Sequence, residues 1–223
     1  ALANTYDGAF DDAIAALRPC FEEPREVGIG ACAAVVAFYR EDKELAKMAV
    51  AVAERCNMKG IFEAAMWMTV ASSAILDCDF EAARRALRRG AAVGTLPNQK
   101  LWLLCCHAEV ELGAGDLAAA EALLDEVEAG VEGTVLHIIT AASGLTRAFT
   151  ERERGNAPAA HARVHAALQR AVEHELGLVT TDALEALAVL ACDASDTALA
   201  GRLLGAAEAF RERTGYRLRY PYE

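Results

Sequence analysis

The sequence predicts an all-α chain of about six helical hairpins stacked as a solenoid. Three observations predict it. A short cassette recurs along the 223 residues, with a small residue, a few polar or acidic positions, an alanine and then an apolar residue four places later. The cassette alanines are Ala13, Ala46, Ala83, Ala120, Ala160 and Ala200, spaced by 33, 37, 37, 40 and 40 residues. A second alanine precedes five of them by a constant 12 residues: Ala34, Ala71, Ala108, Ala148 and Ala188. Two antiparallel helices joined by a short turn approach closely only where small side chains face each other. An offset of 12 puts one alanine on each helix of a hairpin, and repeats of this length belong to helical arrays.

The elements follow in order. "GAFDDAIAAL" (Gly8 to Leu17) is a second helix whose opening partner is mostly missing. Ala34 with "EDKELAKMAV" (Glu41 to Val50) makes a weaker second hairpin. In the third, Trp67, Val70, Ala71 and Ala74 mark the first helix, and "CDFEAARRAL" (Cys78 to Leu87) the second. Trp67 is expected in the core, not stacked on a ligand. "GDLAAAEALL" (Gly115 to Leu124), "GNAPAAHARV" (Gly155 to Val164) and "SDTALAGRLL" (Ser195 to Leu204) open the second helices of the last three hairpins. Gly115-Asp116 suits a helix C-cap followed directly by an N-cap. Linkers are expected near Glu22–Arg25, Gly94–Asn98, Gly130–Gly133 and Leu176–Gly177. The coarse count is about twelve helices and no strands. Residues 1–223 form one helical-repeat domain, expected to be a piece of a larger protein.

Composition narrows the function classes. Apolar residues make up 54% and charged residues 25%, as in an ordered soluble chain. The formal charge of -11 repels nucleic-acid phosphates, so no direct nucleic-acid contact is expected of this segment. No apolar run is long enough to span a membrane, and no signal peptide is evident. Seven cysteines without a CxxC pair point to reduced thiols in small helical core positions of a cytoplasmic protein.

The motifs that carry chemistry fail on context. "GIGACA" (Gly28 to Ala33) fits a dinucleotide fingerprint in letters but falls within a helix of the repeat, without a preceding strand. "GTLPNQK" (Gly94 to Lys100) lacks the Gly-Lys-Ser/Thr of a phosphate loop. His161 and His165 lie four apart on a helix but lack a third ligand, and His107 and Cys106 diverge by about 100°. The expectation is no catalytic residue, no metal and no cofactor, hence no enzyme.

Two surfaces remain. Arg84, Arg85, Arg88 and Arg89 form a basic helical face, either solvated beside acids such as Glu81 or a dock for an acidic domain or phosphate. Aligning the first helices on their alanines gives a candidate ligand groove lined by Met68, Ser72, Trp102, Cys105, Glu109, Leu145, Phe149, Arg152, Glu185 and Val189. Apolar walls with a few separated polar groups suit a small molecule or a peptide, and suit packing between repeats equally well.

The bend-plus-alanine pattern resembles the tetratricopeptide repeat. The third hairpin matches it best, through Trp67, Val70, Ala71, Ala74, Ala83 and Leu87. Gly30 and Gly144 depart from it by standing where the tryptophan would be, and the repeats are longer than 34 residues. The resemblance implies a right-handed solenoid whose inner surface comes mainly from first helices. "AGRLLGAAEAFRERTGYRLRYPYE" (Ala200 to Glu223) resembles the end of the helical-repeat region of bacterial, especially actinobacterial, signal-transduction ATPases, including the large ATP-binding LuxR-type transcriptional regulators. The resemblance is specific over Glu173 to Glu223. It implies a sensor domain that binds a small-molecule, peptide or protein effector and controls an attached ATPase and DNA-binding machinery. A passive scaffold or oligomerisation module is the alternative.

Overall fold

The computed structural model describes residues 12–17, 43–55, 60–93, 96–214 and 216. Among them the chain is all-helical. A helical stretch at 12–17 is followed by α1 (Lys43–Arg55), α2 (Ile61–Leu76), α3 (Phe80–Ala92), α4 (Pro97–Gly113), α5 (Leu117–Val131), α6 (His137–Glu153), α7 (Ala157–Glu173), α8 (Gly177–Asp193) and α9 (Thr197–Thr214). Ala34, the "GIGACA" stretch, the linker at Glu22–Arg25 and the last seven residues lie outside the described residues.

Four short turns make the hairpins, and they share one geometry. After α2, Cys78 N–H reaches Ile75 O at 2.8 Å and Asp79 N–H reaches Ala74 O at 2.9 Å. After α4 the same two bonds run from Gly115 to Leu112 and from Asp116 to Glu111. After α6 they run from Gly155 to Arg152 and Asn156 to Glu151, and after α8 from Ser195 to Cys192 and Asp196 to Ala191. This pair of bonds closes the orphan carbonyls of a helix end and requires a left-handed residue just beyond it. Cys78 (φ 55), Gly115 (φ 82), Gly155 (φ 75) and Ser195 (φ 62) take that conformation. The next residue starts the following helix. The carboxylates of Asp79, Asp116 and Asp196 accept from the N–H groups of Ala82 (2.9 Å), Ala119 (3.0 Å) and Leu199 (2.9 Å). Asn156 holds the fourth position without capping, its Nδ2 donating instead to Glu151 Oε2 at 2.9 Å.

The alanine register predicts the core. Every described member of both series is buried: Ala13, Ala46, Ala71, Ala83, Ala108, Ala120, Ala148, Ala160, Ala188 and Ala200. Second helices bury a single stripe. On α5 it is Ala120, Leu124, Val127 and Val131, and on α7 the same spacing gives Ala160, Val164, Ala167 and Ala171. First helices are buried on most sides, because α6 packs against α5, α7 and α8. Alanine and other helix formers supply the local propensity, and packing of the shared face supplies most of the stability.

The chain divides into two compact units, with the boundary between Cys106 and His107 inside α4. In the first unit α2 packs on α3 and on α1. In the second, α5 to α8 enclose a continuous core of Leu145, Phe149, Val164, Val179, Leu187 and Leu190 with the small residues between them. No helix among the described residues is long and apolar enough to cross a membrane. Of the described cysteines, Cys105 and Cys106 fill core positions as expected. Cys78 and Cys192 are exposed, the first because it occupies a turn and the second because it ends α8.

Candidate functional site

Four of the ten groove candidates belong to the first unit and six to the second. Met68 and Cys105 are buried, and Ser72 and Trp102 are half-buried. In the second unit Leu145 and Phe149 sit in the central core, with Val189 packed against it. These apolar candidates serve the packing role open to them. Glu109 is buried on α4.

The charged candidates tie helices together. Arg152, near the end of α6, meets Asp193 at the end of α8 in a two-pronged contact, Nε to Oδ2 at 2.6 Å and Nη2 to Oδ1 at 3.0 Å. The guanidinium holds the Asp193 carboxyl below the usual carboxylate range, chiefly through these hydrogen bonds. Glu185, buried on α8, closes on the Arg211 guanidinium of α9. Arg152 and Glu185 therefore each tie one helix to another. A ligand reaching either one competes with an existing ion pair, which lowers its net affinity but couples binding to the contact between helices.

The four arginines of α3 do not behave as one face. Arg84 is half-buried and lies 2.5 Å from Glu81. Arg89 places its guanidinium 4.8 Å from the Trp67 ring centroid, and the indole N–H reaches Glu63 Oε1 at 3.5 Å. Trp67 is thus half-buried under a cation, a contact that screens its outer face. Arg85 and Arg88 point to solvent without a carboxylate partner among the described residues.

A row of cross-helix ion pairs was not singled out by the sequence. Glu121, Asp125 and Glu128 line one side of α5 at helical spacing. Arg154 grips Glu121 through Nε (2.5 Å) and Nη2 (2.6 Å), Arg147 reaches Asp125 and Glu128, and Arg163 reaches Glu128 at 2.9 Å. The i, i+4, i+7 acids on α5 were the available signal. His107 faces Glu111 across one turn at 3.1 Å, and the rings of His161 and His165 stand 6.5 Å apart. No group of three metal-ligating side chains occurs among the described residues.

A cavity of about 560 Å³ opens in the second unit between α5, α6 and α7, within the range of small-molecule sites. Gly144 and Ala167 form part of its wall, and Glu128, Glu132, Thr134, Thr140, Ser143, Arg163 and Arg170 supply its polar groups. The sequence marks Gly144 as a departure from the repeat pattern without linking it to a space. Comparison with protein-family profiles, curated proteins and solved structures gives no match to the chain.

Proposed function

We propose that the chain is a regulatory helical-repeat domain whose hairpins stack as a tetratricopeptide-like right-handed solenoid, and that it acts by binding an effector and not by turnover. The repeated hairpin carries this reading. Four hairpin turns, and the α7–α8 connection with them, share the same pair of closing hydrogen bonds with a buried alanine on each side, which describes one turn used again and again. Arrays of such units present long surfaces to partners. The likeness of Ala200–Glu223 to the helical regions of LuxR-type ATP-binding regulators supports a cytoplasmic parent with an attached ATPase. A small molecule, peptide or protein that favours one curvature would bias that ATPase between states. Arg152–Asp193, from α6 to α8, and Glu185–Arg211, from α8 to α9, are contacts between helices through which such a bias can pass.

The test is thermal melting of the 223-residue chain against metabolites and peptides. A sensor gives a saturable, compound-specific rise in Tm. Silence towards all small molecules, with response only to a macromolecule, favours the scaffold reading. Arg85 and Arg88 support that second reading, because two exposed cations on a chain of formal charge -11 suit an acidic protein surface.

A further inference from the structure

We propose that the cavity between α5, α6 and α7 is a binding site for a small oxyanion-bearing metabolite, a carboxylate or a phosphate monoester, anchored by Arg170. Two departures from the repeat register meet in this space. The first is steric. In the α2–α3 hairpin, Trp67 stands four residues before Ala71, and Gly90 seven residues after Ala83. The pair is complementary, since a β-carbon on Gly90 would lie 3.2 Å from Trp67 Cβ. In the α6–α7 hairpin the same two positions are Gly144 and Ala167. A β-carbon on Gly144 would meet only Ala167 Cβ, at an ordinary 3.7 Å. Leu104 and Leu184 fill the Gly144 position in the other two hairpins. The α6–α7 hairpin therefore has small residues on both sides, and both line the cavity.

The second departure is electrostatic. Arg170 lies ten residues after Ala160, where α9 carries Phe210. Phe210 packs against Gly177, whose β-carbon would come within 3.1 Å of the ring. At the matching place beside α6, Arg170 directs Nη1 to within 3.3 Å of His137 Nδ1. A guanidinium has no acceptor, so in this contact the imidazole nitrogen can only be the acceptor. His137 in turn stacks on His174, with centroids 3.5 Å apart. Arg170 is thus held at the cavity wall without an ion pair to a carboxylate among the described residues, while Glu128 and Glu132 line the same space. Arg163 is already matched by Glu128 at 2.9 Å. Thr140 and Ser143 add hydroxyls that can rotate towards a guest. Thr140 now donates to Leu136 O, a carbonyl that also accepts the Thr140 backbone N–H at 3.0 Å, so little is lost by rotation. Glu132 stands at the rim, exposed, as the opposing charge.

The test uses the 223-residue chain with citrate and glycerol 3-phosphate as probes and glycerol as the neutral control, followed by calorimetry and melting. Saturable binding of either anion, without a response to glycerol, is expected. Arg170→Gln should weaken it about tenfold or more, as loss of a charge-assisted contact does. Gly144→Leu should narrow the space beside Ala167 and weaken the response. Glu132→Gln should tighten binding, and Arg202→Gln on α9 should leave it unchanged. The proposal is overturned if neither anion binds, if Arg170→Gln binds as well as the parent, or if Gly144→Leu keeps the full response. It is also overturned if Glu132→Gln weakens binding of either anion. Failure of both anions would leave the sensor reading open to other effectors, since Arg152 and Glu185 do not line the cavity.

Discussion

Gly90 and Gly144 offer a matched experiment on how tightly the hairpins are packed. Both lie inside helices, so alanine at either position gains about 1 kcal/mol of helix propensity. The surroundings then decide the sign. At Gly144 the new β-carbon sits 3.7 Å from Ala167 Cβ, an ordinary contact, and the gain should survive whole. Gly144→Ala is expected to stabilise by about 1 kcal/mol, or to raise Tm by roughly 2–4 °C. At Gly90 the new atom lies 3.0 Å from Leu103 Cδ2 and 3.2 Å from Trp67 Cβ. The leucine methyl can swing away, but Trp67 Cβ is fixed to its backbone. Overpacking of this kind costs about 1–3 kcal/mol, so Gly90→Ala should come out between neutral and about 2 kcal/mol destabilising. Urea melts separate the two effects. Both tryptophans, Trp67 and Trp102, belong to the first unit with Gly90, so fluorescence reports there while circular dichroism follows every helix. If Gly90→Ala stabilises as much as Gly144→Ala, the hairpin packing drawn from these distances is wrong.

Other substitutions probe caps, pairs and protons. Asp116→Ala removes a cap on α5 and should cost about 1 kcal/mol, whereas Asn156→Ala, at a position that does not cap, should cost clearly less in the same urea melts. Arg152→Glu sets two negative charges together at the ends of α6 and α8. Adding Asp193→Arg should restore part of the loss, with a coupling of up to about 1 kcal/mol in a double-mutant cycle; no coupling would make that pair incidental. Acid should lower Tm in two steps. Burial, then His174 and Arg170, hold the His137 imidazole below its ordinary 6.5, so the folded state resists its protonation. Its contribution is present above that pH and is lost as the pH falls below it. Glu121 and Asp193, held down mainly by hydrogen bonds from Arg154 and Arg152, act in the same direction below their ordinary 4.5 and 3.8. His137→Gln should remove the first step alone, and a Tm that rises between pH 7 and pH 5.5 would contradict the assignment.

The helical hairpins were legible because close packing leaves a periodic mark. Only a small side chain fits where two helices touch, so alanines 12 apart report the turn between them, and the described ones are buried. Asp79, Asp116 and Asp196 were equally readable, since an acid just ahead of an apolar stripe has one common use. The residues before them were less so. Cys78 and Ser195 hold the left-handed position that Gly115 and Gly155 fill elsewhere, and nothing in a cysteine or serine announces that conformation. The groove was the least readable part. First helices are buried on several sides at once, so an apolar residue such as Phe149 looks alike whether it faces a ligand or the next helix. Arg152 and Glu185 looked like ligand contacts because their partners, Asp193 and Arg211, lie 41 and 26 residues away in sequence, beyond the reach of any helical spacing rule.

Buried alanines are shared by the four described hairpins, so they do not by themselves select a neighbour. Short connections bring the α6–α7 hairpin next to α5, and the acids along α5 add a charge match to that placement. Glu121, Asp125 and Glu128 receive Arg154, Arg147 and Arg163 from the α6–α7 hairpin. In the α8–α9 hairpin the matching positions are Ala194, Leu187 and Leu203. Docked on α5, that hairpin would set apolar side chains against three carboxylates and leave them unpaired. The Glu121–Arg154 and Glu128–Arg163 pairs are largely exposed and worth less than about 1 kcal/mol each. Arg147 is buried, so losing Asp125 and Glu128 would leave its charge without a partner at a larger cost. The same positions on α3 carry Arg84 and Arg88, and on α7 His161 and His165, so each second helix presents a different charge to whatever packs beside it.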